Sequence, residues 1–165
     1  MEKFRFLAAV IAAHPNHTLA GRKRLQKTVM LLRRLGAPLD YDYSMHFYGP
    51  YSEGVQADVG LLMKLGIVDE TLDEGSSCYE LKADDVALSE ADRSEIEPYQ
   101  KAIDKMSKAD AVLLELAATY DAFREMGSDR KRAMERLHRK KGSKCDGGRA
   151  EEALDLLHSI GLDED

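Results

Sequence analysis

From residue 22 to residue 35, apolar and polar positions recur with the period of an α-helix. At about 100° per residue, Leu25, Thr28, Val29, Leu31, Leu32 and Leu35 share one arc, and Gly36 with Pro38 marks the stop. Residues 2–13 carry a shorter stripe of Phe4, Leu7, Ala8 and Ile11, ended by His14-Pro15-Asn16. Between residues 41 and 48 the period falls to two. Tyr41, Tyr43, Met45 and Phe47 alternate with Asp42, Ser44, His46 and Tyr48, which predicts a half-buried strand. Gly49-Pro50 cannot continue a regular ladder, and Ser52 with Glu53 reads as the cap and first turn of a helix over 53–65. The buried stripe expected there is Val55, Val59, Leu62 and Leu65. The corner at 47–52 is thus read as a strand turning sharply into a helix, and as architecture before binding loop.

Ile67–Thr71 and Cys78–Leu81 flank the polar turn Asp73-Glu74-Gly75-Ser76-Ser77, which predicts a β-hairpin. Helices, a short strand, a helix and then a hairpin is the order of a winged helix. Beyond an acidic stretch at 83–98, Ser107 and Asp110 open a helix with Val112, Leu113, Leu116, Ala117, Tyr120 and Phe123, closed by Gly127. Ser128-Asp129 caps a helix with Met134 and Leu137 as its apolar points, and a last helix is built on Ala150, Ala153, Leu154, Leu157 and Ile160. The expected fold is mainly α with a small β-hairpin, a winged-helix-like N-terminal part followed by a helical C-terminal part. Its divisions are a module at 1–85, an acidic linker or helix at 86–106, and a helical region at 107–165 packed on the first.

Charge narrows the function classes. With 24 Lys plus Arg against 30 Asp plus Glu, the net charge of −6 argues against coating of nucleic acid by the whole molecule, though not against a local basic patch. Two such patches exist. The helix at 22–35 contains no acid, and its polar side presents Arg22, Lys23, Lys27, Arg33 and Arg34. These cations either meet phosphates or an acidic partner, or form a solvated face balancing acids elsewhere. The second patch runs from Arg130 to Lys144 through Lys131, Arg132, Arg136, His138, Arg139, Lys140 and Lys141, with no aromatic residue for stacking bases. The nucleic-acid candidates are therefore Lys23, Lys27, Arg33, Arg34, Arg132, Arg136 and Lys140. The helix at 53–65 is poorly dressed for a major groove: only Gln56 and Lys64 suit base or phosphate contacts, while Glu53, Asp58 and the hairpin acids Asp69, Glu70, Asp73 and Glu74 repel the backbone.

Catalytic chemistry finds little footing. His14 and His17 lack a further ligand at metal spacing, and a lone strand histidine such as His46 is more often a structural group. Cys78 and Cys145 have no neighbouring base and are read as reduced thiols, which fits a cytoplasmic protein. No phosphate-binding glycine loop or nucleophile elbow occurs, so neither enzyme activity, metal nor cofactor is expected. Phe6–Ala13 follows Lys3 and Arg5 and loosely imitates a signal peptide, but the run is short and already forms a helical stripe; no membrane span is expected.

Gly21-Arg22-Lys23-Arg24-Leu25-Gln26-Lys27 with Leu31-Leu32, followed by Phe47-Tyr48-Gly49-Pro50-Tyr51-Ser52-Glu53, resembles the YwgA-like family of uncharacterised prokaryotic proteins. Leu114–Thr119 and Glu151–Leu157 extend the similarity over most of the chain. More distantly, Leu25-Gln26-Lys27 and Tyr48-Gly49-Pro50 resemble the Panacea group, which includes antitoxin- and adaptor-like proteins. The resemblance implies a largely helical domain that holds a partner protein, with Gln26, Lys27, Tyr48 and Tyr51 as the matched positions. The leading expectation is a non-catalytic winged-helix interaction protein. Its alternatives are a DNA-binding regulator using the faces at 22–34 and 130–144, and an unrecognised enzyme. Self-association through the apolar helix at 107–126, giving a homodimer, is a further expectation.

Overall fold

A computed structural model describes residues 3–72, 79–83 and 88–164; the expected hairpin turn at Asp73–Ser77, Cys78 and residues 84–87 lie outside this range. The architecture is mainly α with small antiparallel sheets. In chain order it runs α1 (Lys3–Ala12), β1 (Thr18–Ala20), α2 (Arg22–Arg34), β2 (Ser44–His46), β3 (Gly49–Tyr51), α3 (Glu53–Lys64), β4 (Val68–Leu72), β5 (Tyr79–Ala83), α4 (Glu90–Ile96), α5 (Gln100–Lys108), α6 (Ala111–Glu125), α7 (Arg130–Lys141) and α8 (Arg149–Ile160). One sheet has the order β1-β5-β4, all antiparallel, and β2 with β3 forms a separate ribbon. The helix, strand, helix, helix and hairpin order of the first half is compatible with the winged-helix expectation.

The helical stripes place the core. Leu25, Val29, Leu31 and Leu32 of α2 are fully buried, and full burial of each such side chain contributes roughly 1.5–3 kcal/mol. The apolar run of α1 from Phe6 to Ala12 is buried as a helix of the fold. Ser52 caps α3 by accepting from the Val55 amide at 3.4 Å, as its position predicts. Asp129 does the same for α7 through the Arg132 amide at 2.8 Å. Among the described residues, no helix is long and apolar enough to cross a membrane.

From residue 90 the segment expected as an acidic linker or helix forms α4 and α5, and places Ile96, Ala102, Ile103 and Met106 in the same hydrophobic cluster as α1, α2 and α6. Ser107 accordingly sits inside α5, and Asp110 alone caps α6 by accepting from the Leu113 amide at 2.9 Å. The helix α6 is not amphipathic. Leu114 to Phe123 is buried on every side, including Glu115, Thr119 and Asp121, because α2, α7 and α8 surround it. An apolar helix that one chain already covers removes the premise on which self-association was argued. Leu65, expected in the buried stripe of α3, is instead exposed together with Leu61.

Candidate functional site: a lysine pocket beneath a β-ribbon

The corner at 47–52 is a two-residue hairpin, not a strand running directly into a helix. Met45 faces Pro50 and His46 faces Gly49 across the ribbon, with Phe47 and Tyr48 as its turn. Neither turn residue takes a positive φ; Gly49 does, at 104°. A turn closed by a glycine in this region matches the twist of the two strands. Reversal at Phe47 overrides the alternation that placed this side chain inside, and Phe47 is 79% exposed. Gly49 also sits so close to α6 that a Cβ there would lie 2.8 Å from the Thr119 hydroxyl oxygen and 3.7 Å from Cε of Lys27. Only a residue without a side chain lets the ribbon approach α2 and α6 this closely.

Two clamps hold the ribbon. At its base the Gln26 amide donates to the Ser52 carbonyl at 2.9 Å, and its oxygen accepts from the Ser52 amide at 2.9 Å. At its tip the Lys141 ammonium donates to the Phe47 carbonyl at 3.0 Å. Gln26 is therefore a buried positioning group, not a surface contact. Tyr51 is half-buried and stacks on His46 with ring centres 4.7 Å apart, which also gives His46 the structural role expected of it. Tyr48 is different: 45% exposed, it packs edge-on to Phe47 and carries the Lys23 ammonium 3.4 Å above its ring.

Behind Tyr48 lies a pocket of about 180 Å³. Lys23, Arg24 and Lys27 of α2 form one wall, the first turns of α6 from Ala111 to Glu115 form another, and Lys144 closes a third side. Lys27 is only 5% exposed, and among the described residues no hydrogen bond or ion pair reaches its nitrogen. Burial, reinforced by Lys141, Lys23 and Lys144 and opposed by Glu115, brings its pKa down to about 8. The single carboxylate here, Glu115, is already held by Lys144 at 2.8 Å and by Lys141 at 3.4 Å. Lys141 is itself pushed below the usual lysine value by burial, despite Glu115. Arg24 is engaged elsewhere, donating to the carbonyls of Met106 at 3.0 Å and Ala109 at 2.7 Å.

The expected sites thus divide. Lys23, Lys27 and Tyr48 come together in one cleft, with the 45% exposed Tyr48 beside Lys27. Arg33 and Arg34 point to α6, where Arg33 pairs with Glu125 at 2.7 Å and Arg34 with Asp121 at 2.8 Å. Arg136 lies over the Phe123 ring at 4.1 Å and donates to the Ser128 hydroxyl at 2.9 Å. Arg132 and Lys140 are exposed on α7. His14 and His17 each use Nδ1 on a backbone carbonyl, of Val10 at 2.7 Å and Ala12 at 2.6 Å. Cys145 is buried, which raises its thiol pKa. The pattern of the sequence did not point to Glu115 or Thr119 as site members, and placed Lys141 and Lys144 only in the second basic patch. The available signal was the i, i+4 spacing of Glu115 and Thr119 in an otherwise apolar run.

The chain is similar to the uncharacterised protein YwgA of Bacillus subtilis (strain 168), with 28% identity over 118 residues that cover 69% of this chain and 71% of that one. The resemblance to YwgA-like proteins read from the two motifs is borne out by this match. No protein-family model matches the chain. Nothing in the match extends to the Panacea group.

Proposed function

We propose that the chain is a non-catalytic, winged-helix-like interaction protein, antitoxin- or adaptor-like, that holds a partner protein through the tip of the β2–β3 ribbon. The observation that carries this reading is the pair Phe47 and Tyr48: two large aromatic rings project from a ribbon clamped at both ends, above a ring of lysines. Exposed aromatic anchors on a rigid support, rimmed by charge, are the composition of an interface hot spot. Lys23 and Lys144 beside them suit an acidic partner surface. The test is isolation of the intact chain from native lysate, in parallel with Phe47→Ser. A bound protein retained by wild type, released by salt and lost from a folded Phe47→Ser supports the reading. A chain that runs alone, or a partner indifferent to Phe47, sinks it.

A second reading keeps nucleic acid. The outward residues Lys131, Arg132, Arg139 and Lys140 of α7 are exposed, unlike the arginines of α2. Salt-dependent retardation of duplex DNA that disappears on neutralising these four supports it; no retardation at low salt removes it.

A further inference from the structure

We propose that the pocket behind Tyr48 binds the phosphate group of a small molecule. This goes beyond the partner reading and does not depend on it, because it rests on the buried Lys27 and the concavity under the ribbon, whereas the partner reading rests on Phe47 at the tip.

Four observations converge. First, the cations come from separate parts of the chain: Lys23 and Lys27 from α2, and Lys144 from the turn after α7, all brought to one half-open concavity. Random surface lysines do not gather in this way, since like charges repel. Second, Lys27 is nineteen-twentieths buried, faces the pocket and has no counter-ion of its own among the described residues. Its ammonium opens onto the pocket with its stem out of water, a setting in which an anion joining it is favoured. Third, the wall opposite Lys27 is the first turn of the 15-residue helix α6, with Ala111 and Val112 at the pocket. The positive end of that helix favours an anion in the same place. The cap Asp110 already accepts from the Leu113 amide at 2.9 Å and is itself paired with Arg149, so the helix end adds a small bias beside the lysines. Fourth, at about 180 Å³ the space corresponds to roughly six water molecules at their share of liquid volume, enough for a tetrahedral phosphate and a short ester arm.

The number of lysines narrows the anion. Lysine binds phosphate as a point charge, and several lysines around one concavity match the nearly double charge and the several oxygens of a phosphate monoester better than those of a single carboxylate. The one guanidinium in the wall, Arg24, already donates to two backbone carbonyls. Glu115 remains in the pocket as an acid that must stay paired with Lys141 and Lys144 while the phosphate binds. That requirement disfavours large polyanions and favours a single terminal phosphate. Tyr48 stands at the mouth, where its ring can cover the ester arm.

The experiment is titration calorimetry on the full chain alone, with inorganic phosphate, phenyl phosphate, acetate and a phosphoserine peptide. Saturable binding of phenyl phosphate, at least tenfold tighter than acetate, is expected. Binding near pH 8 is expected to take up protons as Lys27 becomes charged, so the heat varies with the ionisation enthalpy of the buffer. Lys27→Met is expected to abolish this buffer dependence and to weaken binding tenfold or more. Lys144→Ala, whose half-exposed side chain leaves the core untouched, gives a second measure and is expected to weaken binding several-fold. Lys64→Ala on α3 controls for loss of charge alone. The proposal is overturned if acetate binds as well as phosphate, if neither pocket variant weakens binding more than Lys64→Ala, or if the phosphopeptide binds more tightly than phenyl phosphate.

Discussion

Helices α2 and α7 have nearly the same basic composition and opposite fates. In α2, Arg22 pairs with Glu70 of β4, Arg24 ties down the end of α5, Arg33 and Arg34 reach acids on α6, and Lys27 is buried in the pocket. In α7, only Arg130, Arg136 and Lys141 are drawn inward, while Lys131, Arg132, Arg139 and Lys140 face outward. The difference lies in what surrounds each helix. The long α6 packs against both, and its Asp121 and Glu125 meet Arg34 and Arg33 of α2, whereas towards α7 its Glu115 meets Lys141 while four cations of α7 face solvent. A basic face in a sequence is therefore two different objects, and only the neighbours decide which.

Removing a connector gives the largest expected effect. Asp121 is 1% exposed and its carboxyl pKa is raised by burial, an effect that Arg34 partly opposes. Arg34→Ala leaves this acid buried with its main partner gone, which is expected to destabilise the protein by about 3 kcal/mol at pH 7. The same change at Arg132 is expected to stay within about 0.5 kcal/mol. The sign with pH is fixed. A raised carboxyl pKa means the native state holds a proton that the unfolded chain has released, so the penalty is present at neutral pH and fades on acidification. Urea denaturation of both variants at pH 7 and pH 5 checks this. An Arg34→Ala deficit that does not shrink at the lower pH would show that Asp121 is not its source.

Lys27 runs the other way. Its pKa of about 8 in the fold, against 10.5 unperturbed, means that the charged form is held in the native state at a penalty. Below pH 8 that penalty is complete. Between pH 8 and 10.5 the unfolded chain keeps the proton while the native one loses it, so this residue makes stability rise with pH. Lys27→Met is expected to stabilise the protein by roughly 2 kcal/mol at pH 7 in phosphate-free buffer, and to flatten the rise. Denaturation midpoints at pH 7, 8.5 and 10 measure both effects. A destabilised Lys27→Met would mean that the amine has a structural partner.

A smaller effect is expected at Arg24. Arg24→Lys keeps the charge but loses the fork that reaches two carbonyls, Met106 and Ala109, together. A loss of about 1 kcal/mol is expected, read by thermal unfolding. No loss would class Arg24 with the cations of α7.

Much of the scaffold was legible. The stripes of α1 and α2, the Ser52 and Asp129 caps and the glycine stops depend on residues within a turn of each other, and such signals survive in a sequence. What was not legible depends on distant neighbours. Period-two alternation correctly buried Tyr41 but could not show that the chain reverses at Phe47, because the reversal is set by Gly49 meeting Thr119 across 70 residues. Propensity places lysine outside, so Lys27 and Lys141 looked solvated when both are buried. Glu115 and Asp121 lie within an otherwise apolar run whose full burial depends on the surrounding helices, and α6 has no polar side. The motif residues Gln26, Lys27 and Tyr48 were found; that one clamps the ribbon and the other two line a pocket needed the fold.

The smallest expected stability effect is the one that separates the two helices most cleanly. Neutralising Lys131, Arg132, Arg139 and Lys140 together is expected to change stability by less than about 0.5 kcal/mol, because exposed charges of this kind contribute little to the fold. Any binding of duplex DNA behaves differently. Each phosphate contact contributes about 0.9 to the slope of affinity against salt, so losing four would lower that slope by up to about 3.6. The matching change in α2 cannot be made without first unfolding its ties to α6 and β4. If neutralising α7 does destabilise the chain, these charges have partners within the fold, and α7 belongs with α2.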